Sequence, residues 1–453
     1  MNLAHALRLH PGALIAFTGA GGKTTAMLRL GRELAGQGLR VLATTTTRLG
    51  LDQLELFPSF LVDPAPAEID AALVRSPFLL AVRALDPAQH KALGFPPDRI
   101  TEFRAQTDVV LVEADGSRGL PIKAPAPDEP VIPPGATHVV TLAHLAALGQ
   151  PLGPAGAHRP ELVARLTGLG EGDRITPAAL ARLLLHPAGP ARGAPDGAER
   201  HLLLNGCEGL EIGDWLLELD SNNQSPISNL HPLPPRLAAA PGIASVMLGQ
   251  TAHDPPVLAS FGKIAVIVLA AGGSSRFGSP KQLLDWGGQP LLRHVVLQAL
   301  AAPCQQVIVV LGAAAERIAP ELAGLPVELV ANPVWEQGQS TSMQAGLRAC
   351  RPETQAALFV LGDQPTLPPA LLRQLIAAHR RSRPAIVAPR HQGRRGNPVL
   401  FDRRCFPDLL AVGGDAGGRA IFERYQGQIA WLEAGPEVLA DVDRPEDVAG
   451  LPV

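Results

Sequence analysis

The chain has 453 residues, of which 46% are hydrophobic and 18% charged, with a formal net charge of −3. That length exceeds one ordinary core and suggests roughly three folding units or two larger ones, with two the expectation, while the composition excludes a disordered chain. The near-neutral balance excludes a global field that would draw the molecule to nucleic acid or anionic lipid, so an anionic ligand must be held by local donors.

The opening "MNLAHALRLHPG" has no cationic stretch leading into a long apolar one, and no apolar run reaches the length of a membrane span. The expectation is a cytoplasmic protein with no membrane or nucleic-acid partner. Cys207, Cys304, Cys350 and Cys405 are far apart and form no C-x-x-C pair, which favours reduced, isolated thiols.

In chain order, "ALIAFTGAGGKTT" reads as an apolar strand, a glycine turn and the start of a helix through "AMLRLGRELAGQG". The turn departs from a standard P-loop because Phe17 stands where the first glycine belongs, so the expected loop is a tighter variant on Gly19, Gly21 and Gly22. There, Lys23 can reach a phosphate and Thr24, with Thr25 beside it, a Mg²⁺ ion at a helix N-terminus. "RVLATTTT" is the next strand; its threonines are either phosphate or metal hydroxyls or ordinary β-branched strand residues. "DVVLVEADG" is a buried strand from whose end Glu113 and Asp115 emerge as a metal-assisting acidic pair.

The densest Gly, Pro, Ser and Asn stretch, "SNNQSPISNLHPLPPRLAAAPG" at residues 221–242, reads as a loop or linker. After it come the strand "GIASVMLGQ" and the separating segment "TAHDPPVLASFGK". A fresh strand, "IAVIVLAAGG", then begins at Ile264. The expected domains are residues 1–258 and 259–453.

Beyond that boundary β-branched runs alternate with helical-period segments: "QVIVVLG", "VELVA", "AALFVLGDQP" and "AIVAPR" interleave with "PLLRHVVLQALAA", "TSMQAGLRAC" and "PALLRQLIAAHRR". Both regions therefore predict an α/β class, each a mainly parallel sheet with helices on both faces. Ligands in such sheets gather at the carboxyl ends of the strands. At that end of the first strand lies "LAAGGSSRFGSPKQLL", which is neither a P-loop nor a dinucleotide fingerprint: Gly273 and Gly278 are followed by Ser279 and Pro280, and the lysine is delayed to Lys281. Main-chain N–H groups of such a turn can face phosphate oxygens, with Arg276 and Lys281 bringing charge from two directions. Asp363, after the strand "LFVL", can hold Mg²⁺ bridging triphosphate oxygens, and Asp441 or Asp443 in "LADVDRPEDV" can complete that metal site. Catalysis is expected from Lys281, Arg276 and Asp363. A phosphate attacker is already ionised, so the work is to position two anions and offset their repulsion.

The ordered motifs "LAAGGSSRFGSPKQLL", "NPVWEQGQSTSMQAGL", "LGDQP", "RRGNPVLF", "GGDAGGRA" and "DVDRPEDV" resemble those of the molybdenum cofactor cytidylyltransferases in the MobA-like nucleotidyltransferase superfamily, across residues 264–451. The resemblance implies a Rossmann-like nucleotidyltransferase fold. It further implies Mg²⁺-dependent transfer of CMP from CTP to molybdenum-molybdopterin, giving molybdopterin cytosine dinucleotide and pyrophosphate. By the same resemblance Leu269, Ala270, Ala271, Gly272, Gly273 and Arg276 hold the nucleotide, and Lys281 contacts its phosphates. Gly338, Ser340 and Ser342 read the base, Asp363 binds the metal, and Asp443 is its second carboxylate. "LAAG" is similar to the cytidylyl rather than the guanylyl enzymes; Asn397 stands where many relatives have His, and Arg394 and Arg395 are either acceptor-phosphate ligands or solvated surface arginines.

The first region, with "VVLVEADGSRGLPIKAPAPDEPVIP" and "HRPE" at residues 158–161, resembles the YqeC-type accessory proteins of selenium-dependent hydroxylases, over residues 10–258. It implies a P-loop-like NTPase that uses ATP or GTP and assists maturation of a cofactor or its delivery to a client molybdenum hydroxylase. The sequence departs from that family at Asp128, where His is common, and at "LLLNGCEG", which lacks the Lys and Asp of a guanine-reading motif. Nucleotidyl transfer to another acceptor (guanylyl transfer to molybdopterin, or a sugar or alcohol phosphate) and a nucleotide-dependent metallochaperone or regulator remain open.

Overall fold

The structure, a computed structural model, describes residues 1–210, 232–274, 277–442, 444 and 447. The chain divides into two compact units, one reaching Phe261 and the other starting at Gly262.

The first unit is built on an eight-stranded sheet: β1 (Ala13–Gly19), β2 (Val41–Thr45), β3 (Phe60–Val62), β4 (Phe78–Val82), β5 (Val109–Glu113), β6 (His138–His144), β7 (Glu199–Asn205) and β8 (Ile243–Gly249). Their spatial order is β8-β7-β6-β1-β5-β2-β4-β3, with every neighbouring pair parallel. Every residue of β1 is buried, and alternate ones serve opposite faces. Ala13, Ile15 and Phe17 pack with Met27, Leu30 and Leu34 of the helix Lys23–Gly36. Leu14 and Ala16 pack with Ile69 and Leu73 of the helix Pro66–Arg75 on the other side. Two-sided burial is why these strands read as continuous apolar runs.

The second unit has seven principal strands: β9 (Val257–Ala270), β10 (Gln306–Leu311), β11 (Glu328–Ala331), β12 (Thr354–Leu361), β13 (Ile386–His391), β14 (Val399–Asp402) and β15 (Ile429–Glu433). The order is β15-β13-β14-β12-β9-β10-β11, parallel except at β14, which runs antiparallel to both neighbours. Val266 and Val268 face the helices Leu291–Leu300 and Pro369–Ser382. Ile267 faces Met343 and Leu347 of the helix Gln339–Ala349. Each unit is thus an α/β layer structure with helices on both faces of a mainly parallel sheet, as the alternation predicts.

Two sequence readings need correction. The fresh strand does not wait for Ile264 but is continuous from Val257, the first five residues belonging to the first unit; "VLASFGK" is as apolar and β-branched as a strand requires, and the two preceding prolines end at Pro256. Of the expected linker, residues 221–231 lie outside the described residues, and Leu233–Ala239 is a helix whose two prolines sit in its first turn, where no intrahelical N–H is needed. Among the described residues no helix is long and apolar enough to cross a membrane.

Candidate functional site

In the second unit β9 lies between β10 and β12, so the chain leaves β9 on one side and returns on the other, opening a crevice at the strands' carboxyl ends. The parallel register pairs Leu269 with Leu361, so the loop after Ala270 and the turn Gly362-Asp363 emerge side by side. A cleft of about 550 Å³ occupies this place, walled by Leu269, Ala270, Ala271 and Gly272, by Lys281, Gly338 and Ser342, and by Asp363.

The late lysine has a structural answer. Ser274 adopts the left-handed conformation at φ 53°, and its hydroxyl accepts a hydrogen bond from the Lys281 amide at 3.1 Å. Gln282 then staples the loop from behind, its amide donating to the carbonyls of Ala270 at 3.1 Å and Gly272 at 2.9 Å. Lys281 is thereby aimed across the cleft, where Nζ donates to Asp363 Oδ2 at 2.6 Å. The other carboxylate oxygen, Oδ1, is buried without a hydrogen-bond partner among the described residues. A buried, uncompensated carboxylate oxygen on a cleft wall suits a hard divalent cation.

The opposite wall is the start of the helix Gln339–Ala349. Gly338 caps it at φ 112°, and a Cβ there would meet the Gly414 carbonyl carbon at 2.5 Å, so only glycine lets that loop approach. Asn332 orders this turn by donating to Thr341 Oγ1 at 2.9 Å and Ser342 Oγ at 3.0 Å. Gly273 is required beneath Trp335, whose ring would lie 2.7 Å from an added Cβ. Ser340 is buried in the first turn and is not part of the cleft wall. Arg276 and Asp443 lie outside the described residues.

Sequence reasoning missed Gln282, Trp335, Glu336, Gln339 and Asp415, all on the cleft wall. Each sits inside a motif already singled out, and only the fold shows which motif residues turn inward. Asp441 lines the cleft and accepts from Gln364 Nε2 at 2.5 Å. A second cavity of about 280 Å³ shares Leu269, Gln339, Leu361, Asp415 and Asp441 with the first and is completed by Arg395, Asn397 and Arg419.

In the first unit the turn between β1 and the helix Lys23–Gly36 has Gly19, Gly21 and Gly22 all at positive φ. Lys23 is buried, and Nζ donates to the Gly19 carbonyl at 2.7 Å and lies 3.3 Å from Asp115. Thr24 donates to Glu113 at 2.9 Å, whereas Thr25 is exposed. Burial pushes the Glu113 carboxyl up, against the lowering effect of Lys23 and Thr24. Asp115 also pairs with the fully buried Lys123 at 3.1 Å, which continues to Glu129 at 2.7 Å and from there to Arg159. The threonine run divides from this site: Thr44, Thr45 and Thr46 donate to the carbonyls of Ala81, Glu113 and Val131, the strand-residue reading.

Residues 15–161 match the model of the YqeC protein family, and residues 266–429 match the MobA-like NTP transferase domain. The YqeC protein of Escherichia coli is 34% identical over 194 residues, spanning 42% of this chain and 75% of that protein. The chain belongs to the YqeC family and carries a MobA-like NTP transferase domain. Over the MobA-like domain, nicotine blue oxidoreductase of Paenarthrobacter nicotinovorans is 31% identical, covering 41% of this chain and 94% of that protein. The molybdenum cofactor cytidylyltransferase of Escherichia coli is 28% identical, covering 41% and 93%. The cleft with Lys281 and Asp363 lies in the MobA-like domain, a nucleotidyltransferase domain, and the Gly19–Lys23 turn lies in the YqeC domain.

Proposed function

We propose that this chain is a two-domain fusion, residues 1–258 and 259–453, whose MobA-like domain transfers CMP from CTP to molybdenum-molybdopterin. The observation that carries this reading is the 2.6 Å approach of Lys281 to Asp363 across a cleft walled by a glycine loop and a helix N-terminus. Main-chain amides of residues 270–273 face the triphosphate, and Lys281 offsets its charge once it exchanges Asp363 for phosphate oxygen. Asp363, with Asp441 or Asp443, would hold Mg²⁺, which supplies charge neutralisation to the triphosphate and the leaving pyrophosphate. The adjoining cavity with Arg395 and Arg419 suits an acceptor phosphate, which guanidinium groups can bind bidentately. The relative named molybdenum cofactor cytidylyltransferase supports this acceptor.

The YqeC domain, in this reading, binds ATP or GTP at Gly19, Gly21, Gly22, Lys23 and Thr24 and assists cofactor maturation or delivery to a client hydroxylase. The buried Lys23–Asp115 pair at the end of β1 supports an anion site held closed by an internal carboxylate.

The test is pyrophosphate release with CTP or GTP, with and without molybdenum-molybdopterin, followed by identification of the dinucleotide. Acceptor-dependent release with CTP supports the proposal; release with GTP alone reassigns the base. No release with either nucleotide removes the transferase reading of this cleft. An oxidoreductase reading then gains ground, since the 31% identical relative is named for nicotine blue oxidation–reduction.

A further inference from the structure

The carboxyl ends of the parallel strands β6 and β7, His144 and Asn205, pack against the Gly21–Gly22 turn of the YqeC domain; their amino ends carry something else. The register pairs His138 with Glu199 and Val140 with His201, so His138, Glu199 and His201 stand at the start of two neighbouring strands, Glu199 and His201 two apart and on one face. Counting along β6 from His138 to Leu142, the partner of Gly19, and on to His144 beside Gly21 puts this end roughly 13–20 Å from the Gly19–Gly22 turn, at roughly 3.3 Å per residue.

Three donor atoms converge here. One ring nitrogen from each histidine and one Glu199 oxygen lie within 4.8 Å of one another, and among the described residues this is the one such cluster of three His, Cys, Asp or Glu. His201 Nε2 is 3.4 Å from Glu199 Oε2. Two ligands about 2.1 Å from a shared ion in a tetrahedral site are themselves about 3.4 Å apart. The two rings are stacked, 5.7 Å between centroids and 13° from parallel, so their edges can present nitrogens to the same point.

The Nδ1 atoms are engaged elsewhere. Thr137 Oγ1 lies 2.8 Å from Nδ1 of His138, and Ser245 Oγ lies 2.8 Å from Nδ1 of His201. A hydroxyl on one nitrogen orients the ring and fixes the other, Nε2, as the ligand, the outer-sphere arrangement that metal-binding histidines use. Both rings are buried, 4% and 3% exposed, while Glu199 is exposed. Two buried imidazoles carry a desolvation cost that the hydroxyls on Nδ1 and a partner on Nε2 offset.

We propose that His138, His201 and Glu199 form a binding site for one borderline divalent transition ion of the Zn²⁺, Co²⁺ or Ni²⁺ kind. Two neutral imidazoles and one carboxylate are the donor set such ions take, leaving a fourth position toward solvent. The exposed Glu199 side chain has the freedom to close the remaining distance. His10, exposed on the turn before β1 and edge-on to His138 with ring centroids 6.4 Å apart, is the next donor outward. Bound metal would clamp the amino ends of β6 and β7 together, independently of the nucleotide chemistry proposed for either domain.

The experiment uses the full chain, stripped with chelator and titrated with Co²⁺ and then Zn²⁺. The expected result is a visible d–d absorption of tetrahedral intensity saturating at one equivalent, without thiolate charge-transfer bands, and displaced by Zn²⁺. Glu199→Gln should weaken binding at least tenfold and His201→Ala should abolish the band. Carboxylate sites such as that at Asp363 give weak six-coordinate spectra and do not interfere. Glu199 is exposed, so E199Q folds and keeps the test open should H201A not. Absence of the band in the wild-type chain, or an undiminished band in E199Q, overturns the site.

Discussion

Lys281 and Asp363 hold each other in a cleft, 2.6 Å apart with side chains only 15% and 22% exposed. Neither packs in the core, so removal should spare the fold while, on the proposed function, stripping the triphosphate of its cation or the metal of its ligand. Lys281→Ala and Asp363→Ala are each expected to lower kcat for CMP transfer about 100-fold or more, the effect of losing about 3 kcal/mol of transition-state stabilisation, with unchanged circular dichroism. Turnover within a few-fold of wild type in either variant would remove the residue from the reaction. Glu129 permits a pH prediction. Burial would raise its carboxyl, but hydrogen bonds from Arg159 and Lys123 outweigh that and hold it down to about 2, against an ordinary 4.5. A lowered folded-state value means stability present above pH 4.5 and lost as pH falls from there toward 2. The gap in Tm between wild type and Glu129→Gln should narrow over that window; a constant gap would show that the ion-pair network does not set it. At this scale Lys281, Asp363, Lys23 and Asp115 stood out because a glycine turn, a cation and a carboxylate after a strand end occur together, although each Asp alone reads equally as a turn or N-cap residue, and the structure brings each Lys to its Asp. Gln282 did not stand out, since a glutamine that staples a loop to the carbonyls of Ala270 and Gly272 looks locally like any polar residue.

Glycine turns are the elements that carry both sites, and they differ in what enforces the glycine. In the YqeC domain Gly21 is at φ +86°, and a Cβ would lie 2.5 Å from His144 Cβ and 2.7 Å from the His144 amide nitrogen. A positive φ and a contact with the His144 main chain and Cβ leave no room to relax, so Gly21→Ala should destabilise the domain by about 1–3 kcal/mol and, on the proposed function, reduce ATP or GTP binding there. Chemical denaturation together with nucleotide titration checks this, and an unchanged midpoint would mean the turn re-forms without strain. Asn205 at the end of β7 ties into the same turn, its side chain donating to the Gly21 carbonyl at 3.1 Å and accepting from the Thr251 amide at 3.0 Å. The sequence showed that the turn exists, from its glycines and the strand before it. It did not show that His144 and Asn205, from strands far along the chain, are what the glycines make room for. In the MobA-like domain the loop is bent by Ser274 and Gln282 rather than by a helix start, which is why its lysine arrives late.

At the scale of the whole molecule, each unit places its candidate site by the same topology: a strand flanked on both sides by parallel strands that follow it in the chain, and a turn at its carboxyl end. The alternation of apolar strands and helical segments sufficed to read this class in both halves. It did not suffice for the strand Val257–Ala270, because an apolar run carries no mark of where one unit's share ends and the next begins. By itself the sequence determined the two-sided burial of the strands, the places of the glycine turns and the motif sets of the YqeC and MobA-like regions, since these follow from side-chain periodicity and the φ > 0 that only glycine takes freely. Only the tertiary structure decided which of those residues meet. Lys281 reaches Asp363 across 82 residues, and His138 meets Glu199 and His201, because strand order and register join segments whose local chemistry holds no record of their partners.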